Sequence, residues 1–317
     1  MSSRKRRIVF IDHGYHKHTK STDFIFDILA RYADVIRIYD ESWNGDPAID
    51  VKAILAQMPD QVFFVQLRPR RVQLKGLKHI PVTWVPMRDD VSWEKRFWKR
   101  LRRYKVSILA FCKEIDNHAQ QMNIRSFYTQ YFPNAIDHAK SAPRDTKGVR
   151  LLFWQRVDKP DWATVKSLLG DTAVESVTLK LNSDPGFSVL RPSNEDCASY
   201  NIHIEEGWLP ADKYQQLIDD CDIFVAPRNV EGIGMANLEA MAYGKCVLAA
   251  NAPTANEYIR HYETGILYDP NNPIPVDFSN VHTIGSNAHE LVMHGRKAWL
   301  ESVPKMLSFL GVDINNI

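Results

Sequence analysis

Asp222-Ile-Phe-Val-Ala-Pro227 runs directly into Arg228-Asn-Val-Glu231-Gly-Ile-Gly-Met-Ala-Asn-Leu-Glu239 and Ala240-Met-Ala-Tyr-Gly244. The apolar run between Asp222 and Pro227 is too short for a helix and reads as a buried strand. Gly232 and Gly234 let the backbone that follows come close to a ligand. Met235–Tyr243 reads as a short helix, closed by Gly244 in the position after its end. The backbone N–H groups at the start of that helix, around Gly232, Ile233, Gly234 and Met235, offer an anion site strengthened by the helix dipole. Glu231 lies before the first turn and Glu239 two turns on. They do not share one helical face, so they touch different parts of an extended ligand, and a phosphate between two hydroxyl-bearing groups fits that arrangement.

The same alternation of apolar runs and helical stretches extends outward in both directions. Strands are expected at Arg7–Asp12, Asp34–Tyr39, Gln61–Gln66, Pro81–Pro86, Val106–Phe111 and Phe127–Phe132, with helices at Thr22–Tyr32, Val91–Tyr104 and Lys113–Met122. The polar stretch Asp137–Gly148 reads as a linker. Strands resume at Val149–Trp154, Ser176–Lys180, Asn201–Glu205, Asp222–Ala226 and Lys245–Ala250, with helices at Ala211–Asp220, Met235–Tyr243 and within Ala288–Leu310. This pattern predicts an α/β fold with parallel sheets: two Rossmann-like doubly wound domains facing a cleft. Residues 1–136 form the first domain, 137–285 the second, and 286–317 a helical segment packing back toward the first. Sheets of this kind bind ligands at the carboxyl ends of their strands.

Composition agrees. A length of 317 residues suits two domains rather than one core, and 44% hydrophobic with 25% charged residues is a globular profile. A net charge of +2 lacks the strongly basic balance of a nucleic-acid binder, so no nucleic-acid partner is expected. Cys112, Cys197, Cys221 and Cys246 show no paired spacing, which argues against a disulfide framework or a zinc site and fits a reducing compartment. The apolar run Ile8–Ile11 is too short for a signal peptide and nothing approaches a membrane span. A cytoplasmic protein is expected.

Two glutamates separated by seven residues, in the setting strand, Glu-Gly-x-Gly, helix, Glu-Ala-Met-Ala-x-Gly, resemble the donor-site signature of retaining GT-B glycosyltransferases of family four, the glycosyl transferases group 1. The likeness continues through Lys245-Cys-Val-Leu-Ala-Ala250, Glu257 and Glu263-Thr-Gly-Ile-Leu-Tyr-Asp-Pro270, and upstream through Gly207-Trp-Leu-Pro210. It covers most of residues 149–270. The resemblance implies that Glu231 contacts the donor sugar at the reacting centre, that Glu239 holds the ribose, and that the backbone of Gly232, Ile233, Gly234 and Met235 faces the diphosphate. It further implies an arginine after the strand Val149–Trp154 and a lysine beyond it, both on the diphosphate. Arg156 and Lys159 stand in those places, with a shorter gap than usual and Pro160 for the usual glycine. Fixed cations there would neutralise the leaving group without a metal, so no metal or other cofactor is expected. Arg228 replaces a frequent serine. Relatives place a sugar-contacting histidine after the fourth strand; here Asp89 or Asp90 substitutes, or the contact is missing.

Other features carry weaker signals. Asp12-His13-Gly14-Tyr15-His16-Lys17-His18 follows the first strand. Acceptor binding by His13, Gly14 and His16 is preferred to a plain surface loop, and a zinc site comes last for want of a partner at ligand spacing. Asp220-Cys221-Asp222 spells a metal-binding pattern at the amino end of a strand, away from the ligand side, and reads as structural. Trp93–Lys105 is the most basic segment, with Trp93, Phe97, Leu101 and Tyr104 at helical spacing. One reading packs that stripe on the domain core. The other lays the helix on an anionic membrane, Trp93 and Trp98 inserting, where a lipid-linked acceptor would be met.

The expected function is therefore retaining transfer of a sugar from a nucleoside-diphosphate sugar to a hydroxyl of a saccharide or lipid-linked saccharide, in polysaccharide or glycolipid biosynthesis. The enzyme would be cytoplasmic or peripheral on the inner membrane face. The rivals are a nucleotide-sugar epimerase of the same fold and a non-catalytic protein that binds a glycan or partner.

Overall fold

A computed structural model describes residues 5–136 and 148–313. The expected linker at Asp137–Gly148 thus lies, but for its final glycine, outside the described residues. The chain clusters into two units: Met1–Gln130 with Ala298–Ile317, and Tyr131–Lys297.

The first unit runs β1 (Arg7–His13), α1 (His16–Thr19), α2 (Asp23–Tyr32), β2 (Asp34–Asp40), α3 (Val51–Ala56), β3 (Gln61–Val65), α4 (Arg71–Gly76), β4 (Val82–Val85), α5 (Lys95–Arg103), β5 (Ser107–Ala110), α6 (Lys113–Gln121) and β6 (Ser126–Tyr128). Its six strands are parallel in the order β2-β1-β3-β4-β5-β6. Ile8–Ile11 of β1 and the whole of β3 are buried, as expected of strands covered by helices on both faces. Gln61, the one polar residue of β3, donates to Thr83 Oγ1 at 3.1 Å.

α5 begins at Lys95, four residues later than the sequence suggested, because the Ser92 carbonyl accepts from the Trp98 indole at 2.6 Å and holds the preceding loop. Phe97 and Trp98 pack on Trp84 with centroids 5.2 and 5.7 Å away. Trp98 is fully buried, so it is a core residue and unavailable for membrane insertion. β6 is three residues, not six. Tyr131 and Phe132 are apolar and buried for another reason: they already belong to the second unit.

The second unit runs β7 (Val149–Gln155), α7 (Trp162–Leu169), β8 (Val174–Leu181), α8 (Asn194–Ser199), β9 (Ile202–Glu206), α9 (Ala211–Asp220), β10 (Ile223–Val225), α10 (Met235–Ala242), β11 (Cys246–Ala250), α11 (Ala255–Tyr258), β12 (Ile266–Tyr268) and α12 (Val281–Leu310). From Ala298 onward α12 counts with the first unit, where Trp299 packs edge-on against Phe24 at 5.9 Å and close to Phe111 at 6.1 Å. Asp161 caps α7, accepting from the Thr164 N–H at 2.9 Å. The parallel sheet is ordered β12-β11-β10-β7-β8-β9. Connections leave β7 in one direction and β10 in the other, so the loops after these two strands part and leave a crevice at their carboxyl ends. Gly285 of α12 rests on the end of α10, where a Cβ would lie 2.1 Å from the Gly244 carbonyl oxygen.

Candidate functional site

The loop after β10 is the first wall of the crevice. Gly234 takes the left-handed conformation (φ 79°) that starts α10, and its carbonyl accepts the first helical bond from Leu238 at 3.0 Å. A Cβ there would meet the Asn237 amide at 3.2 Å. No side chain caps α10 and no acidic residue sits in its first turn, so its leading N–H groups face forward with the positive end of the dipole. The Thr254 hydroxyl anchors the loop by donating to the Glu231 carbonyl at 3.2 Å.

Glu239 projects from α10 half-buried, with no ion-pair partner among the described residues. Burial pushes its carboxyl above the usual range. Burial first, and the Glu239 charge after it, push the hydroxyls of Tyr131, Tyr214 and Tyr243 above the usual tyrosine range. The buried Tyr214 hydroxyl has no hydrogen-bond partner among the described residues.

The loops after β7 and β8 form the second wall. Arg156 donates to Asp184 Oδ1 through Nε at 3.0 Å and Nη2 at 2.8 Å, while Arg228, from the Glu231 loop, donates to Asp184 Oδ2. Asp184 is buried at 5% exposure, so one carboxylate fixes two guanidinium groups at the mouth of the switch point. Lys159 is not brought to this pair. It is exposed and donates to Asp161 at 2.7 Å, the cap of α7.

Lys180 was missed in the sequence. It lies one residue before the end of β8, and at 2% exposure its ammonium sits 4.0 Å over the Trp154 ring. Burial first, and Arg156 second, bring its pKa down to about 8. A lysine in a strand normally reads as a solvent-facing position. The available signal was its register opposite Trp154, visible once the strands pair.

The other sequence-flagged residues fall elsewhere. Asp222 accepts from Arg150 Nε at 3.1 Å and Nη2 at 2.6 Å at the amino end of β10, which occupies the carboxylate structurally. In the first unit, His16 turns inward and its Nδ1 lies 2.6 Å from the buried Asp12, which also accepts from Thr22 at 2.7 Å. His13 stacks on Trp43 at 5.4 Å, and burial holds its pKa below the usual histidine value. A Cβ on Gly14 would meet the Glu41 carboxylate at 2.0 Å, so a larger residue there would have to displace that side chain. Asp89 is exposed after β4, while its neighbour Asp90 pairs with Arg68 at 3.2 Å. Among the described residues no three His, Cys, Asp or Glu side chains meet in a group that could hold a metal ion, and no helix is long and apolar enough to cross a membrane.

Two doubly wound α/β units, one with a glutamate-flanked, uncapped helix start at its switch point, define the class: the GT-B fold of glycosyltransferases. Residues 201–275 match the family model described as Glycosyl transferases group 1. That segment spans β9 to β12 and includes Glu231 and Glu239; Arg156, Lys180 and Asp184 precede it. Curated protein sequences give no match. Among solved structures, Anabaena Alr3699/HepE in complex with UDP and glucose aligns at TM-score 0.67 and 16% identity, covering 96% of this chain and 99% of that one. A glycosyltransferase from Rickettsia africae ESF-5 aligns at 0.66 and 14%, covering 96% and 99%. Sucrose-phosphate synthase from Thermosynechococcus elongatus aligns at 0.65 and 12%, covering 96% and 98%. At these identities the likeness is one of fold. With the family match, it bears out the resemblance read from the sequence.

Proposed function

We propose that this protein is a retaining glycosyltransferase that moves a sugar from a nucleoside-diphosphate sugar to a hydroxyl of a saccharide or lipid-linked saccharide. The observation that carries the reading is the pairing of Arg156 and Arg228 on Asp184, next to the uncapped start of α10 and between Glu231 and Glu239. The guanidinium pair and the helix N-terminus hold the diphosphate. Glu239 accepts from the ribose hydroxyls and Glu231 from the sugar. The bond from the sugar's anomeric carbon to the phosphate oxygen breaks while a bond to the acceptor oxygen forms on the same face. The acceptor's proton passes to the oxygen of the departing phosphate. Such a reaction asks the protein for positioning and for stabilisation of growing negative charge, with no metal ion required. The first unit would present the acceptor beside His13, Gly14 and His16, with Asp89 or Asp90 at the sugar.

The HepE structure holds UDP and glucose, which makes UDP-glucose the first donor to test. The protein would be cytoplasmic, on the inner membrane face where glycolipid acceptors are assembled. The deciding experiment incubates it with UDP-glucose, UDP-N-acetylglucosamine and GDP-mannose, with and without glycolipid acceptors, and reads products by mass and anomeric proton couplings. Transfer with the donor's anomeric configuration kept is the expected result. Free epimerised sugar nucleotide without acceptor would select an epimerase, and binding without turnover a non-catalytic protein.

A further inference from the structure

Lys180 has no hydrogen-bond or ion-pair partner among the described residues. Its Nζ is buried without a hydrogen bond. The side chain in register with it on β9, Glu205, is taken by Lys213 at 2.9 Å, and the next carboxylate, Glu206, by Arg191. Asp184 already serves Arg156 and Arg228. What Lys180 does have is the face of Trp154 at 4.0 Å, with Trp208 at 5.8 Å. A ring face offsets only part of the cost of burying an ammonium. Arg156 is close enough to repel it. Lys180 thus adds a positive charge beside Arg156 that no ion pair among the described residues balances, and a buried ammonium so placed calls for an anion rather than a neutral carbonyl.

We infer that Lys180 donates to a phosphate oxygen of the bound nucleoside diphosphate, alongside Arg156 and Arg228, and so takes the part that the sequence suggested for Lys159. This rests on the donor-site reading above. Among the described residues no carboxylate pairs with the ammonium, so the ligand supplies its counter-charge. Because the group titrates near pH 8, the contact should be pH-sensitive in a range where the arginines are not.

Calorimetric titration of UDP, GDP, ADP and the corresponding nucleosides into the wild-type protein and Lys180→Met tests this. The expected result is at least a tenfold loss of affinity for the diphosphate that the wild type binds best, with nucleoside affinity unchanged. Wild-type affinity should fall from pH 7 to pH 9 while the variant's stays level. The ligand-free variant should melt at or above the wild-type temperature, since an unpaired charge has left the interior. Lys180→Gln repeats the titration if the methionine variant does not fold. An equal loss for nucleoside and diphosphate, or no loss at all, overturns this inference and leaves the donor reading standing. A wild-type protein that binds none of the three nucleotides overturns the donor reading itself, and this inference with it.

Discussion

Arg156 reaches Asp184 Oδ1 with two nitrogens, at 3.0 and 2.8 Å, and so ties the loop after β7 to the loop after β8. Arg228 adds the loop after β10 to the same carboxylate. Asp184→Asn should therefore lower the melting temperature by several degrees, because removing one partner from a buried ion pair costs roughly 3 kcal/mol or more. Saturating UDP should narrow the deficit by restoring a negative charge between the guanidinium groups. A differential scanning measurement with equal deficits with and without UDP would separate Asp184 from the donor site.

Glu239 and Glu231 have separable signatures. Glu239→Gln and Glu231→Ala should each weaken donor binding about tenfold to a hundredfold, since a hydrogen bond to a charged group is worth roughly 1.5–3 kcal/mol. Glu239→Gln should also stabilise the ligand-free protein at neutral pH. Burial raises the carboxyl's folded pKa, so the folded state holds its proton more tightly than the unfolded one. That stabilisation is present below the unfolded value and is lost as pH rises through the folded one, which leaves the wild type penalised at pH 7. Melting curves at pH 4 and pH 7 check it: the advantage of glutamine should shrink at the lower pH.

Most strands were legible because both sheets are parallel and buried, which leaves apolar runs such as Val62–Val65 and Ile223–Val225 unbroken. Short elements escaped. β12 is three residues, and α7 follows a segment, Val157–Pro160, that reads as a loop. Of the site, the residues adjacent in sequence were visible: Glu231, Gly234 and Glu239 announce themselves by spacing. Asp184 and Lys180 come from the loop and strand next door, and only strand pairing brings them to Arg156. Lys159 shows the reverse case, a residue at a suggestive spacing that the cap of α7 claims.

Turnover should continue in EDTA, because Arg156, Arg228, Lys180 and the start of α10 already gather positive charge where the diphosphate would sit. An activity assay run before and after chelation reads this directly. Complete loss that returns on adding a divalent ion would reassign the role of those cations.

The exposed side chains of α5 set the fourth expectation. Lys95, Lys99, Arg102 and Arg103 face solvent while Phe97, Trp98 and Leu101 face the core. The protein should sediment with vesicles containing phosphatidylserine at low salt and be released at high salt, each basic residue near the surface contributing about 1 kcal/mol. Replacing those four with glutamine should abolish sedimentation without changing transfer to a soluble acceptor. Trp93, partly exposed, is the indole whose emission should shift on binding, and Trp93→Phe should remove that shift. Wild-type protein that stays in the supernatant at low salt would leave α5 as a packed surface helix.

The Trp299 end of α12 makes the first unit discontinuous in sequence, with the whole of the second inserted before its final piece. During synthesis the second unit's sheet is fully translated by Tyr268, while Phe24 and Phe111 still wait for an indole that has yet to be made. The half of the protein that is born first is thus completed last. A premature stop after Lys297 would leave the second unit complete in sequence and the first without its closing wedge, open to chaperones and proteases.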